Sequence, residues 1–95
     1  MAELLQTDGS RSVVEPANAK RGFTLEELYR LLACQTIEAV YLPDRRVMVV
    51  DEEAKLRALP PEPNSEATKL LHLAGGIPWD VVLGPALVCT RREFK

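Results

Sequence analysis

The sequence predicts an α+β fold, with one small domain, the element order β-α-β-β-α-β, and a mostly antiparallel sheet with two helices packed on one face. Three observations support this prediction. A complete helix start precedes residues 25–33, two β-like runs follow around a short turn, and a second capped helix precedes a last β-like run. The same order of elements occurs in ferredoxin-like folds.

The first twelve residues, MAELLQTDGSRS, are predicted to form an N-terminal arm or a short strand, because TDGS is typical of a turn. The β-like run SVVEP follows and ends at Pro16. We place a single α+β domain at residues 13–90. The last five residues, RREFK at 91–95, are treated as a basic C-terminal tail in solvent.

The first helix has the clearest start signal in the chain. Thr24 and Glu27 have the spacing of a capping box, in which each side chain binds the backbone N–H of the other residue. Phe23 and Leu28 have the spacing of a hydrophobic staple across the same cap. We therefore predict a helix from Leu25 to Ala33.

The next segment has the pattern of a β-hairpin. TIEAVYL is rich in β-branched and aromatic residues, PDRR supplies turn residues, and VMVV resumes the β pattern. Two such runs around a short turn predict an antiparallel hairpin. The acidic residues after it, which include Glu52 and Glu53, are predicted to lie in a solvated turn.

Three prolines precede the second helix, in the stretch LPPEPNSEATKLL. Pro60 and Pro63 each disfavour the α conformation at the residue before them, which predicts an extended corner. Asn64 is a suitable N-cap for the helix SEATKLLHL, and Gly75 with Gly76 predicts its end. A rigid corner that leads into a capped helix is a sufficient structural explanation for the prolines.

The last β-like run is WDVVLGPALVCT. Gly84 and Pro85 interrupt it, which predicts a bulge or bend and an edge position in the sheet. The predicted core positions are Val81, Leu83, Leu87 and Cys89.

The composition of the chain disfavours several classes of function. The chain has 12 basic and 14 acidic residues and a net charge of −2, so no basic excess favours nucleic-acid binding. No long apolar span and no signal segment is present, which predicts a cytoplasmic protein without membrane association. Cys34 and Cys89 both lie in apolar runs and are predicted to be buried free thiols.

Residues 23–88 resemble a family of small domains known as domain of unknown function 3846, which occurs in phages, plasmids and several bacterial groups. The similar motifs are Ile37–Val40, Val50–Glu53, Leu59–Pro61, Asn64–Thr68, and Asp80 with Gly84. The resemblance implies a common fold and an association with mobile elements, and it implies no established chemistry.

This chain departs from the family pattern at two places. Many relatives have glycines in the connection between the first helix and the strand, where this chain has Ala33-Cys34-Gln35. Many also have glycine shortly after the hairpin, where this chain has Ala54. A site that depends on those glycines would be altered here.

The candidate ligand or partner contacts fall into two groups. The polar residues Glu52, Glu53, Asn64 and Thr68 could surround a site near the proline corner, or they could form only a solvated turn and a helix cap. Trp79 is predicted to pack over the sheet edge, with contact to a partner as the alternative. The full candidate set is Glu52, Glu53, Pro60, Pro61, Asn64, Thr68, Trp79 and Asp80.

No catalytic, cofactor or metal pattern is evident. His72 has no nucleophile at a recognisable spacing, and it matches no metal-ligand motif with the two cysteines. The glycines of AGGIPWD follow a helix, whereas a phosphate cradle needs them before one. The sequence therefore predicts no enzyme, cofactor or metal, with a general base at Glu53 or Asp80 as a remote alternative.

These observations favour a non-enzymatic binding or regulatory module. It would act through protein–protein contact or self-association, and it would dock a sheet edge or the corner at residues 60–64. The alternative is a small-ligand sensor or sequestering protein of phage or mobile-element type, with a polar pocket near Glu52, Glu53, Asn64 and Thr68.

Overall fold

The computed structural model describes residues 2–94 and shows a five-stranded antiparallel sheet with the order β2-β1-β5-β4-β3. The strands are β1 (Ala2–Leu5), β2 (Arg11–Val14), β3 (Ile37–Tyr41), β4 (Arg46–Asp51) and β5 (Ala86–Thr90). The helices are α1 (Leu25–Leu32), α2 (Ser65–Leu73) and α3 (Arg91–Phe94), with a single 3-10 turn at Ala54–Leu56. The predicted α+β class and antiparallel sheet are confirmed.

The two long helices lie on opposite faces of the sheet. In β4, Val47 and Val49 belong to the core cluster that contains the buried leucines of α1, whereas Met48 and Val50 belong to the cluster that contains α2. The prediction that both helices pack on one face is therefore wrong, and the fold differs from the ferredoxin-like arrangement. The uninterrupted apolar run of β4 is typical of a strand that is covered on both faces.

Strand β5 lies inside the sheet, between β1 and β4. The predicted edge position is wrong because Gly84 and Pro85 precede the strand, so the proline removes no hydrogen bond from its ladder. Because residues 81–85 lie in the loop before β5, the predicted core positions are confirmed only within β5. Leu87 is fully buried, whereas Val81, in the preceding loop, is exposed.

The N-terminal residues form a hairpin that is part of the domain. Strands β1 and β2 pair from Ala2–Val14 to Leu5–Arg11, and Gln6 N donates to Ser10 O at 2.9 Å in the turn between them. On its other side β1 pairs with β5. The described part of residues 1–12 is thus an integral strand and turn, and Met1 lies outside the described residues.

Helix α1 begins as predicted. Glu27 N donates to Thr24 Oγ1 at 3.1 Å, and Thr24 N donates to Glu27 Oε1 at 2.9 Å, which completes the capping box. Leu28 and Leu32 are buried on the sheet, whereas Leu25 in the first turn is largely exposed.

The end of α1 contains an unusual backbone conformation. Ala33 is left-handed, with φ 52°, while Cys34 N donates to Tyr29 O at 3.0 Å. Glycine usually occupies this position in helix ends of this type, because an L-residue crowds its own Cβ there.

The C-terminal residues are folded onto the domain. Thr90 and Glu93 form a second capping box at the start of α3, and Glu93 is buried. Phe23 N donates to Glu93 O at 2.7 Å, and a Cβ at Gly22 would collide with that same oxygen. Residues 91–94 are therefore a structural helix rather than a solvated tail, and Lys95 lies outside the described residues.

Candidate interaction surface

Two loops, one before α2 and one after it, lie side by side. We call residues 52–63 and 75–85 the paired loops. Gly84 N donates to Glu62 O at 2.8 Å, and Pro63 forms an isolated antiparallel bridge with Leu83. Lys55 and Asp80 form a salt bridge between the same two segments. The paired loops are thus joined at several points along their length.

Gly84 allows the close approach of the two loops. Its φ is +83°, a conformation that L-residues rarely adopt, and a Cβ there would lie 3.3 Å from Pro61 Cγ. The predicted proline corner therefore packs directly on the loop that leads into β5.

Asn64 is a buried structural residue. Its Oδ1 accepts from Ala67 N at 3.1 Å, which confirms the predicted helix cap. Its Nδ2 donates to Leu5 O at 3.0 Å and to Gly84 O at 2.9 Å. Only 1% of the residue is exposed, so these three bonds occupy its amide and leave nothing directed at a ligand.

Thr68 has a similar structural role one turn later. Its hydroxyl donates to Asn64 O at 2.8 Å and accepts from Val82 N at 2.9 Å. This satisfies a backbone donor of the second loop, so Thr68 positions that loop against α2.

The paired loops expose many apolar side chains. Within residues 2–94, nine large apolar side chains are exposed, and five of them belong to these loops. The five are Leu56, Leu59, Ile77, Trp79 and Val81. Leu59 is 90% exposed and Trp79 is 81% exposed, which is unusual because the burial of such side chains is favourable. The prediction that Trp79 packs over the sheet edge is therefore wrong.

Asp80 joins the second loop to both of its neighbours. Its carboxylate binds Lys55 and accepts from Val81 N at 2.9 Å, and the lysine contact holds the pKa of Asp80 below its usual range. His72 Nε2 lies 2.9 Å from Asp80 O, so the only histidine connects the end of α2 to this loop. Both polar groups are engaged in maintaining the loop conformation.

Glu52 and Glu53 are exposed and line different depressions. Glu53 accepts from Thr36 Oγ1 at 2.9 Å and borders an open cleft of about 550 Å³ at the end of α1. Glu52 borders a smaller depression of about 110 Å³ beside Asp80. Asn64 and Thr68 line neither, so the four predicted polar residues do not converge on one pocket.

An ion pair between the buried Asp51 and the exposed Arg57 lies between these two depressions. The side chain of Asp51 is 4% exposed, and its Oδ2 lies 2.6 Å from Arg57 Nη2 without hydrogen-bond geometry. Its Oδ1 accepts from Glu53 N at 3.0 Å. Sequence reasoning missed this pair, since its only signal is an acidic residue at the end of an otherwise apolar strand.

Both cysteines are buried free thiols, as predicted. Burial raises the pKa of Cys89 to about 11, with Glu93 adding to the rise. Burial and the nearby Asp51 raise the pKa of Cys34. Thiols with raised pKa values are poor nucleophiles, because the thiolate is the reactive form.

Within residues 2–94, no group of three or more His, Cys, Asp or Glu side chains is placed to hold a metal ion. None of the helices in this range has the length and apolar character needed to cross a membrane.

The family model of DUF3846, described as a domain of unknown function, matches residues 4–94. The chain belongs to this family. The match includes the second half of β1 and all of β2 and α3, so it extends beyond residues 23–88 at both ends. No curated protein and no solved structure matches the chain. In this DUF3846 domain the motif residues Asn64 and Thr68 hold the loops in place. Of the five exposed apolar residues, Leu59 belongs to a motif and the other four lie outside the motifs.

Proposed function

We propose that this DUF3846 domain is a non-enzymatic binding module that docks on another protein through the paired loops. The observation that carries this proposal is the exposure of Leu59 and Trp79 on two loops that are held in place by Asn64, Thr68 and the Lys55–Asp80 salt bridge. Exposed apolar side chains that cluster on a few loops are typical of interaction sites.

The paired loops are held in one conformation, which supports the proposal that their exposed apolar side chains form a binding site. Hydrogen bonds from Gly84, Asn64 and Val82 hold the loop backbones before any partner arrives. Such preorganisation lowers the entropy that is lost on association. Tryptophan is also among the residues that most often dominate binding energy at protein interfaces.

The partner would present an apolar cleft that accepts the Trp79 ring. Charged residues of both signs border the apolar side chains, including Glu62 and Arg57, so a polar rim on the partner would complete the contact. The free, buried thiols fit a reducing compartment, and we propose the cytoplasm of a bacterial or phage-infected cell as the setting.

Site-specific photo-crosslinking tests this proposal. A photoreactive residue would replace the exposed Ile77 of the second loop in one sample, with Trp79 intact, and the exposed Leu25 of α1 in the control. In host lysate we expect a discrete crosslinked product only at position 77. Unlabelled wild-type protein should compete for it, whereas unlabelled Trp79→Ala should not. Equal crosslinking at both positions, or equal competition by both proteins, would reject the paired loops as the docking site.

A second candidate function is the binding of a small polar molecule in the open cleft at the end of α1. The supporting observation is its volume of about 550 Å³ and its polar lining by Gln35, Thr36, Glu53 and Arg57. Native mass spectrometry of protein purified from its host would test this candidate. A small mass increment that is lost in Thr36→Val would support a ligand there, and its persistence in that variant would exclude this cleft.

A further inference from the structure

Strand β3 is an edge of the sheet with backbone groups available for pairing. Within residues 2–94 it pairs with β4 alone. Leu42 N donates to Arg46 O at 2.9 Å, and Glu52 N donates to Thr36 O at 3.3 Å. These two bonds show that the even-numbered positions of this ladder form the hydrogen-bonded pairs.

The odd-numbered residues of β3 therefore face outward. Because hydrogen-bonded and non-hydrogen-bonded pairs alternate in an antiparallel ladder, Ile37, Ala39 and Tyr41 direct their N–H and C=O groups away from β4. An edge strand of this kind is a template for another strand.

We propose that two copies of this protein pair through β3 in antiparallel orientation, with the two-fold axis at Ala39, to form a continuous ten-stranded sheet. In this register Ala39 faces the partner's Ala39, and Ile37 faces the partner's Tyr41. Each of these opposed pairs can exchange two backbone hydrogen bonds. The outward groups of all three residues are then satisfied in both copies.

The side chains of β3 are complementary to themselves in this register. Ile37 lies opposite the partner's Tyr41, and pairs of β-branched and aromatic residues are favourable across strands. Glu38 lies opposite the partner's Val40, so the only charged residue of the strand does not face its own copy. This self-complementarity identifies a second copy as the occupant, because a two-fold interface requires the same surface to fit itself.

The opposite edge, β2, is less suited to pairing. Gln6 N donates to Ser10 O, so by the same alternation its outward residues are Arg11 and Val13. Arg11 is charged and binds Glu66 at 3.2 Å. A proline follows each of the two strands by two residues, so proline does not distinguish the edges. Charged residues commonly protect edge strands; Arg11 lies at an outward-pairing position of β2, whereas Glu38, the one charged residue of β3, lies at a position that pairs with β4.

The interface would be small and the dimer weak. Two paired five-residue strands fall at the low end of specific interfaces, below about 1,200 Å² of total buried area. We therefore expect association that depends on concentration. The backbone pairing involves no residue of the paired loops, although Glu38 and Val40 border the same depression as Lys55 and Asp80.

Sedimentation equilibrium with two proline variants tests the proposal. Ala39→Pro removes an outward N–H from β3, and the matched control Val13→Pro removes an outward N–H from β2; neither N–H serves the sheet within one chain. We expect wild type and Val13→Pro to dimerise with a midpoint concentration between about 10 µM and 1 mM. Ala39→Pro should remain monomeric at concentrations at least tenfold above the dimerisation midpoint of the wild type. A monomeric wild type, or a folded Ala39→Pro that dimerises like Val13→Pro, would overturn the proposal.

Amide exchange of the wild-type chain gives a second readout that needs no variant. In concentrated solution the amides of Ile37, Ala39 and Tyr41 should exchange at least tenfold more slowly than in dilute solution, while the amide of Val13 should not change. If the protein dimerises but the three β3 amides exchange equally fast at both concentrations, the contact lies on another surface and the proposed register is wrong.

Discussion

The side-chain amide of Asn64 donates a hydrogen bond of 3.0 Å to the backbone oxygen of Leu5, 59 residues earlier in the chain. The same nitrogen donates to Gly84 O at 2.9 Å. One buried side chain thus connects the start of α2, the end of β1 and the loop that leads into β5. The paired loops owe their position to this connection.

Substitution of Asn64 should destabilise the domain by more than the loss of a helix cap. Asn64→Ala removes the cap oxygen and both buried hydrogen bonds to Leu5 O and Gly84 O, and we expect a loss of about 3 kcal/mol in the free energy of unfolding. Asn64→Asp keeps the cap oxygen but removes both donors and buries a charge, so we expect a comparable loss. Urea denaturation measures both. A near-wild-type stability for Asn64→Asp would show that capping alone explains this residue.

Replacement of Ala33 by glycine should stabilise the domain. Ala33 is left-handed, and glycine adopts this conformation without the Cβ crowding that costs an L-residue about 1 kcal/mol. The expected gain in the free energy of unfolding is about 0.5–1 kcal/mol. Ala74→Gly, at the end of α2 where φ is −81°, is the matched control and should be neutral or destabilising. A loss of stability in Ala33→Gly would contradict this interpretation of the helix end.

Removal of Lys55 should raise the pKa of Asp80. The lysine contact is the largest cause of the lowered pKa, so Lys55→Ala should shift the carboxyl titration upward towards its usual range. Lys69→Ala, on the exposed side of α2, is the control and should leave that titration unchanged. Carboxyl chemical shifts measured by NMR against pH would show the difference. No upward shift in Lys55→Ala would mean that the salt bridge does not form in solution.

The same salt bridge gives a pH dependence of defined sign. The pKa of Asp80 is lower in the folded state than in the unfolded chain. Its contribution to stability is therefore fully present at a pH above the unfolded pKa of 3.8, and it is lost as the pH falls through the folded pKa. The pair is exposed, so the contribution is small and decreases with salt. Lys55→Ala should therefore reduce the difference in melting temperature between neutral and acidic pH.

Removal of the Trp79 side chain should leave the domain folded and equally stable. Trp79 is 81% exposed, so Trp79→Ala should change the free energy of unfolding by less than about 0.5 kcal/mol. Leu87→Ala, at a fully buried position of β5, should cost about 3 kcal/mol. Thermal unfolding followed by circular dichroism compares the two. A loss of more than about 2 kcal/mol in Trp79→Ala would show that the ring packs on the domain in solution.

Local elements were predictable because their signals lie within a few residues of each other. The capping box of Thr24 and Glu27, the cap at Asn64 and the hairpin of β3 and β4 all depend on contacts between chain neighbours. The family was likewise recognisable from short motifs. For most of the candidate polar residues the predicted turn or helix end was also correct. Their predicted convergence on one pocket was wrong.

Long-range relationships were not predictable from these signals. The pairing of β5 with β1 and β4 joins segments far apart in the chain, and it decides which face of each strand meets α1 or α2. The two donor bonds of Asn64 follow from that arrangement, as does the exposure of Trp79. Alternation along a strand separates two faces but does not identify which helix covers either one.

The sequence by itself determined the α+β class, the capped starts of α1 and α2, the hairpin of β3 and β4, and membership of the DUF3846 family. Tertiary structure alone decided the strand order, the placement of the helices on opposite faces, the position of the paired loops and the free edge at β3. The physical reason is that helix caps and turns are stabilised by groups close in the chain, whereas strand order and exposure depend on burial shared by segments that only the completed fold brings together.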